Sequence, residues 1–218
     1  MSTDLTTELE KVGAVKVVEA GFGDSDSFQL AQRVATALSK STLIPKDYQN
    51  NLPNCLVALN MANRLNADPL MVMQNLYVVH GRPAWSSQFL IATANKSGKF
   101  SPLRYRFTGT KGKDDFGCVC SAVDRETGEV LEGTEITIGM AKAEGWHDKS
   151  GSKWKTMPEQ MLRYRAAAFF VRCYAPELSL GLSTREEVED SHGLPTAHGL
   201  GKPYPANLWA LRIQGKPD

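Results

Sequence analysis

Leu103, Tyr105 and Phe107 alternate with Arg104 and Arg106. A period of two residues belongs to a strand that carries apolar side chains on one face and the two guanidiniums on the other. A second strand is expected at 116–124 and a third at 129–138, with Asp-Arg-Glu-Thr-Gly as the turn between them. Connections this short favour an antiparallel meander. Thr156, Pro158 and Glu159 then read as a capping box around a proline. The helix they open is expected to run to Cys173 or Tyr174 and to stop before Pro176, with Leu162, Ala166, Phe169 and Cys173 facing inward.

The residues ahead of the meander read as mostly helical. Asp26 and Gln29 fit a capping box for a helix at 27–40, and Pro45 and Pro53 bound a loop. A second helix is expected at 54–66 with Cys55, Leu59, Ala62 and Leu65 inward, and Asp68 caps a short helix opened by Pro69. Asn-Leu-Tyr-Val-Val-His-Gly-Arg-Pro-Ala-Trp reads as a β-hairpin turning at His-Gly-Arg. Ser86 or Ser87 caps the next helix, which ends at Gly98. A short helix at 140–144 precedes a polar, basic loop holding Trp146 and Trp154, and Thr184 with Glu187 caps a small acidic helix. The expected class is α+β: a three-stranded antiparallel sheet and a short β-hairpin packed with a long helix, behind a helical N-terminal part. Residues 25–190 read as a single domain. Residues 1–24 are poorly patterned, with one helical stripe at Leu5, Leu9 and Val12, and 191–218 read as a poorly ordered tail rich in Gly, Pro and His.

Charge is where this sequence departs from the ordinary. The whole chain carries a formal +1, yet residues 81–113 hold seven basic side chains and no acidic one. They are Arg82, Lys96, Lys99, Arg104, Arg106, Lys111 and Lys113. A one-sign segment inside a balanced chain is the footprint of a polyanion site. Trp85, Phe89, Phe100, Tyr105 and Phe107 lie among the charges, and aromatics stack bases while cations hold phosphates. The competing reading is a solvated basic face with core aromatics between the charges. From 142 to 172 there are seven basic residues against three acidic ones, so a second basic segment exists. It includes Arg163, Arg165 and Arg172 on the long helix. Arg165 and Arg172 are seven residues apart, about 10 Å along one line, which suits a phosphate backbone as well as it suits surface salt bridges.

Signatures of catalysis are mostly absent. Gly-Thr-Lys-Gly-Lys at 109–113 lacks the spacing and the Ser/Thr of a phosphate-binding loop, and no nucleophile-elbow or His-Glu-x-x-His pattern occurs. Cys55, Cys118, Cys120 and Cys173 lack zinc spacing, so buried thiols are expected, with Cys118 and Cys120 on one face of a strand. No nucleotide, metal or other cofactor is expected, and no catalytic residue. No apolar run reaches the length of a membrane span and the N-terminus has no signal-peptide pattern, so a cytoplasmic protein is expected.

The run Ala-Asn-Arg-Leu-Asn-Ala-Asp-Pro-Leu through Lys-Ser-Gly-Lys-Phe at 62–100 resembles the central region of the RecT family of phage and prophage single-strand DNA annealing proteins. The closing run Ser-Lys-Trp-Lys-Thr-Met-Pro-Glu-Gln-Met-Leu-Arg-Tyr-Arg-Ala-Ala-Ala-Phe-Phe-Val-Arg-Cys-Tyr-Ala-Pro-Glu-Leu is similar to that family too, as is the Gly-Leu-Ser-Thr-Arg-Glu-Glu-Val-Glu-Asp after it. The resemblance covers roughly residues 25–190. It implies ATP-independent binding of single-stranded DNA and annealing of complementary strands in recombination, a homo-oligomer in ring or filament form, an annealed duplex as product and a partner 5′–3′ exonuclease. It implies a core of three antiparallel strands followed by a helix. It places phosphate contacts on Arg82, Lys96, Lys99, Arg104, Arg106, Arg163, Arg165 and Arg172, with Lys111 and Lys113 in a hairpin loop facing DNA or a neighbouring subunit. Tyr77, Trp85 and Trp154 become candidates for base or sugar contacts, although large aromatics also dominate small cores. The closing Gly-Leu-Gly-Lys-Pro-Tyr-Pro-Ala-Asn-Leu-Trp-Ala-Leu-Arg-Ile-Gln-Gly-Lys-Pro-Asp is short and unlike the partner-binding tail of such proteins, so contact with a host single-strand-binding protein is not carried over. Two alternatives stand beside annealing: a passive single-strand coating protein, and a metal-dependent nuclease using Asp114, Asp115 or Asp124.

Overall fold

The computed structural model describes residues 20–191. The stripe expected at Leu5, Leu9 and Val12 lies outside these residues, as does the tail from residue 192. The described residues are mixed α+β, with eight helices and small antiparallel sheets.

Three helices come first: α1 (Ser25–Ser39), α2 (Leu52–Leu65) and α3 (Pro69–Asn75). The capping box of α1 is formed by Asp24 and Ser27, not by Asp26 and Gln29. Asp26 lies inside the first turn instead, where a carboxylate meets the positive end of the helix dipole. Pro53 sits in the first turn of α2 rather than bounding it, since an early helical position has no N–H bond to lose. The Oδ1 of Asp68 accepts from the Met71 N–H at 2.9 Å, as its spacing before Pro69 predicts.

The hairpin pairs β1 (Leu76–Val79) with β2 (Arg82–Trp85). Its two turn residues, His80 and Gly81, both adopt positive φ, the conformation that matches the strand twist in a two-residue connection. Helix α4 (Ser87–Lys96) follows, capped by Ser86, whose Oγ accepts from the Phe89 N–H at 3.0 Å.

The second sheet contains β3 (Arg104–Thr108), β4 (Gly117–Val123), β5 (Val130–Glu132) and β6 (Ile136–Thr137). The single third strand expected at 129–138 is split into β5 and β6, both paired with β4. Ser121 lies opposite Glu132 but Cys118 lies opposite Ile136, so three residues on one side face two on the other. That is a bulge. Gly133 sits in it, where an added Cβ would lie 3.3 Å from the Phe170 Cβ, so the long helix presses against the sheet at this point.

Helices α5 (Ile138–Ala143) and α6 (Lys153–Thr156) lead into α7 (Pro158–Tyr174), a short 3₁₀ turn and α8 (Arg185–Ser191). No side-chain cap forms at the start of α7. The expected Thr156–Glu159 box is absent, because Glu159 turns to Lys111 at 2.6 Å. Helix α7 lies on the β4 face that carries Cys118, Cys120 and Ala122, opposite its own Ala166, Ala167 and Ala168. Small side chains on both surfaces allow close approach. The inward stripe also differs from expectation. Phe170 is fully buried and meets Phe100 edge-on at 5.5 Å, whereas Phe169 is half-buried and Cys173 is exposed. A second apolar cluster joins α1, α2, α3 and the hairpin around Tyr48, Val72, Met73 and Trp85. Helix α4 serves both clusters, with Phe89 in one and Leu90 and Ala94 in the other.

Candidate nucleic-acid interface

The first half of α7 is open along Glu159, Gln160, Arg163 and Tyr164, all half-buried. The β3–β4 loop flanks one side of this shelf. Lys111 reaches Glu159 and, through its hydrogen bond, holds that carboxyl below the usual carboxylate range. One turn further on, the Arg163 guanidinium lies 4.8 Å over the Phe107 ring and makes no ion pair with a described residue. A cation held by an aromatic face and not by a carboxylate keeps its charge available to an anion.

A cleft of about 230 Å³ opens on the other side of the shelf, lined by Tyr77, Gln88, Lys153, Gln160, Tyr164 and Arg185 among others. The hairpin supplies Tyr77. Register places Tyr77 opposite Ala84 and Val79 opposite Arg82, so Arg82 shares the Tyr77 face, nearer the hairpin tip. Helix α8 supplies Arg185, whose guanidinium sits 4.8 Å over the Tyr77 ring while its Nε donates to Glu189 at 2.6 Å.

The basic residues expected to share one groove are dispersed. Arg104 and Arg106 are exposed on the sheet face opposite Tyr105 and Phe107, and Tyr105 and Phe107 pack toward α7. The sheet therefore separates this pair from the arginines of α7, and the expected convergence of the two basic segments is not met within one chain. Arg106 also faces Glu132 at 3.3 Å. Lys99 binds Glu177 at 2.7 Å and the Tyr174 carbonyl, at the far end of α7. Lys96 is exposed in the last turn of α4, and Lys113 is exposed in the β3–β4 loop.

Arg165 needs the plainest correction. It is only 6% exposed and its guanidinium bonds the Asp190 carboxylate at 2.5 Å. Trp146 covers it at 3.8 Å. Burial draws the Arg165 guanidinium below its ordinary range, opposed by Glu187 and Asp190. Arg172, the other end of the expected phosphate line, pairs with Glu187 at 2.5 Å and stacks on Phe169. These two arginines fasten α8 to α7. Trp154 and Trp85 are core residues. Trp154 donates from Nε1 to Asp190 at 2.8 Å, and Trp85 donates to the Ser179 carbonyl at 2.9 Å.

Several lining residues went unread in sequence. Tyr164 and Gln160 are four apart on the helix, a spacing that marks a shared face. Lys153 belonged to the basic loop. Arg185 was hidden by the acidic residues around it. Asp114, weighed as a metal ligand, is held by Lys142 at 2.5 Å, and Asp115 accepts from the Thr110 N–H. Among the described residues no three of His, Cys, Asp or Glu gather as a metal-binding group, and no helix is long and apolar enough to cross a membrane. Comparison of the chain with protein-family models, curated proteins and solved structures finds no match.

Proposed function

We propose that this protein binds single-stranded DNA and anneals it to its complement without a nucleotide cofactor, in the manner of the RecT family that its sequence resembles. The observation that carries the proposal is the open half of α7, where Arg163, which makes no ion pair with a described residue, lies between the Lys111 loop and the Tyr77–Arg185 stack. Cations spaced by aromatics along a shelf suit a flexible strand, whose phosphates need charge and whose bases need flat surfaces. Arg82, Lys96, Lys113 and Arg163 have no carboxylate partner among the described residues and form the cationic set, with Arg104 and Arg106, on the far face of the sheet, as weaker outlying contacts. Lys99, Arg106 and Lys111 join it by exchanging a surface carboxylate for a phosphate, a small cost because exposed ion pairs contribute little. Pairing between the strands supplies the driving force, and a homo-oligomer extends the shelf from one copy to the next.

The test is a gel assay with complementary oligonucleotides and no ATP. Pairing is expected to accelerate at near-stoichiometric protein, and no acceleration removes the proposal. With about five phosphates neutralised per copy, a fourfold rise in salt weakens single-strand binding about a hundredfold.

A further inference from the structure

The cleft beside α7 holds unused hydrogen-bonding capacity. Tyr77, Gln88, Lys153, Gln160 and Tyr164 converge on it, yet none of these side chains bonds another described residue. Elsewhere the polar side chains of this region are engaged: Ser86 with Asn75, Ser87 with Glu186, Arg185 with Glu189. Arg185 is fixed as a plate, held edge-on by Glu189 and face-on by Tyr77. Met157, 52% exposed, gives the mouth an apolar lip.

We infer that this cleft receives one unstacked nucleobase of the bound strand per protein copy. The inference rests on the single-strand reading above and adds to it a base-binding subsite. Each feature matches the chemistry of a heterocycle. Two phenol rings and a fixed guanidinium provide flat, polarisable surfaces, and bases splayed from a strand are held against aromatic rings and guanidinium planes. The Gln88 and Gln160 amides each offer donors beside an acceptor, which is what a base edge presents. Size limits the occupant. Drug-sized pockets run to roughly 300–1,000 Å³, so about 230 Å³ suits a single ring system and not an extended ligand. Lys153 and Arg82 are exposed near the mouth and supply charge for the phosphates flanking that base.

The test compares a thymidine oligonucleotide with an abasic strand of equal length, by fluorescence anisotropy on the full chain. The expected result is about tenfold tighter binding of the base-bearing strand, in line with the alanine-scan cost of one stacked base. Tyr77→Ala and Gln160→Ala are each expected to erase that preference, so that either variant binds the thymidine and the abasic strand equally. Should Tyr77→Ala lose its circular dichroism spectrum, Gln160→Ala carries the test, since that side chain makes no hydrogen bond to a described residue. Equal binding of both strands by the parent protein overturns the base pocket and leaves the strand-binding shelf standing. A preference that survives both substitutions puts base recognition elsewhere and likewise overturns it. Binding of neither strand removes the shelf and the pocket together.

Discussion

The Asp190 carboxylate grips the Arg165 guanidinium at 2.5 Å, and both side chains are all but removed from solvent, at 5% and 6% exposure. Lys149 and the Trp154 indole N–H bond the same carboxylate, so one acid near the end of α8 closes a knot between α8, α7 and the loop before it. Arg185, which walls the cleft, stands on the helix that this knot anchors.

Removing that acid is expected to be severe. Asp190→Ala leaves a buried guanidinium and an indole N–H without their acceptor and removes the ion partner of Lys149, and breaking one side of such a pair costs about 3–5 kcal/mol. Urea unfolding measures it. A variant within about 1 kcal/mol of the parent would show that the knot contributes no stability.

Phe170→Ala is expected to cost about 3–5 kcal/mol, because the ring is fully buried between Phe100 and the bulge at Gly133. Phe169→Ala is expected to cost clearly less, since that ring is half-buried beneath Arg172. The pair of unfolding midpoints distinguishes the two rings, and the reverse order would mean that α7 is rotated on the sheet.

Burial raises the Cys118 thiol to about 11 and the Cys120 thiol to about 12. In the unfolded chain both ionise near 9, so above that pH the unfolded state sheds protons that the fold retains. Stability is therefore complete below about pH 9 and falls as pH rises from 9 toward 12. At neutral pH a thiol reagent is expected to modify exposed Cys173 quickly and Cys55, Cys118 and Cys120 only on unfolding. Rapid modification of more than one thiol in the folded protein contradicts this.

Charge removal on the two sides of the sheet locates the DNA path. Arg163→Ala is expected to weaken single-strand binding and to lower the salt slope by about 0.7, the share of one phosphate. Arg104→Ala with Arg106→Ala leaves stability within about 0.5 kcal/mol, because both side chains are exposed. It is expected to weaken binding less than Arg163→Ala does. A larger loss from the double variant would move the strand onto the outer face of the sheet.

Local chemistry made much of this fold readable. Alternation at 103–107, the His80–Gly81 turn, the Asp68 and Ser86 caps and the Thr184–Glu187 box are each settled by residues within a few positions of one another. Such signals survive in any context because the backbone groups they satisfy are adjacent in the chain.

The chain alone therefore determined most of the strands and helices, and that positive charge is concentrated in two segments. Only the tertiary structure decided how those charges are used. Arg165 turns inward because a carboxylate 25 residues later is folded back against it. Glu159 abandons its cap because Lys111, 48 residues earlier, arrives beside it. The sheet puts Arg104 and Arg106 on one side and Arg163 on the other. A cation's partner is the nearest anion in space, and distance in space is what a linear pattern does not contain.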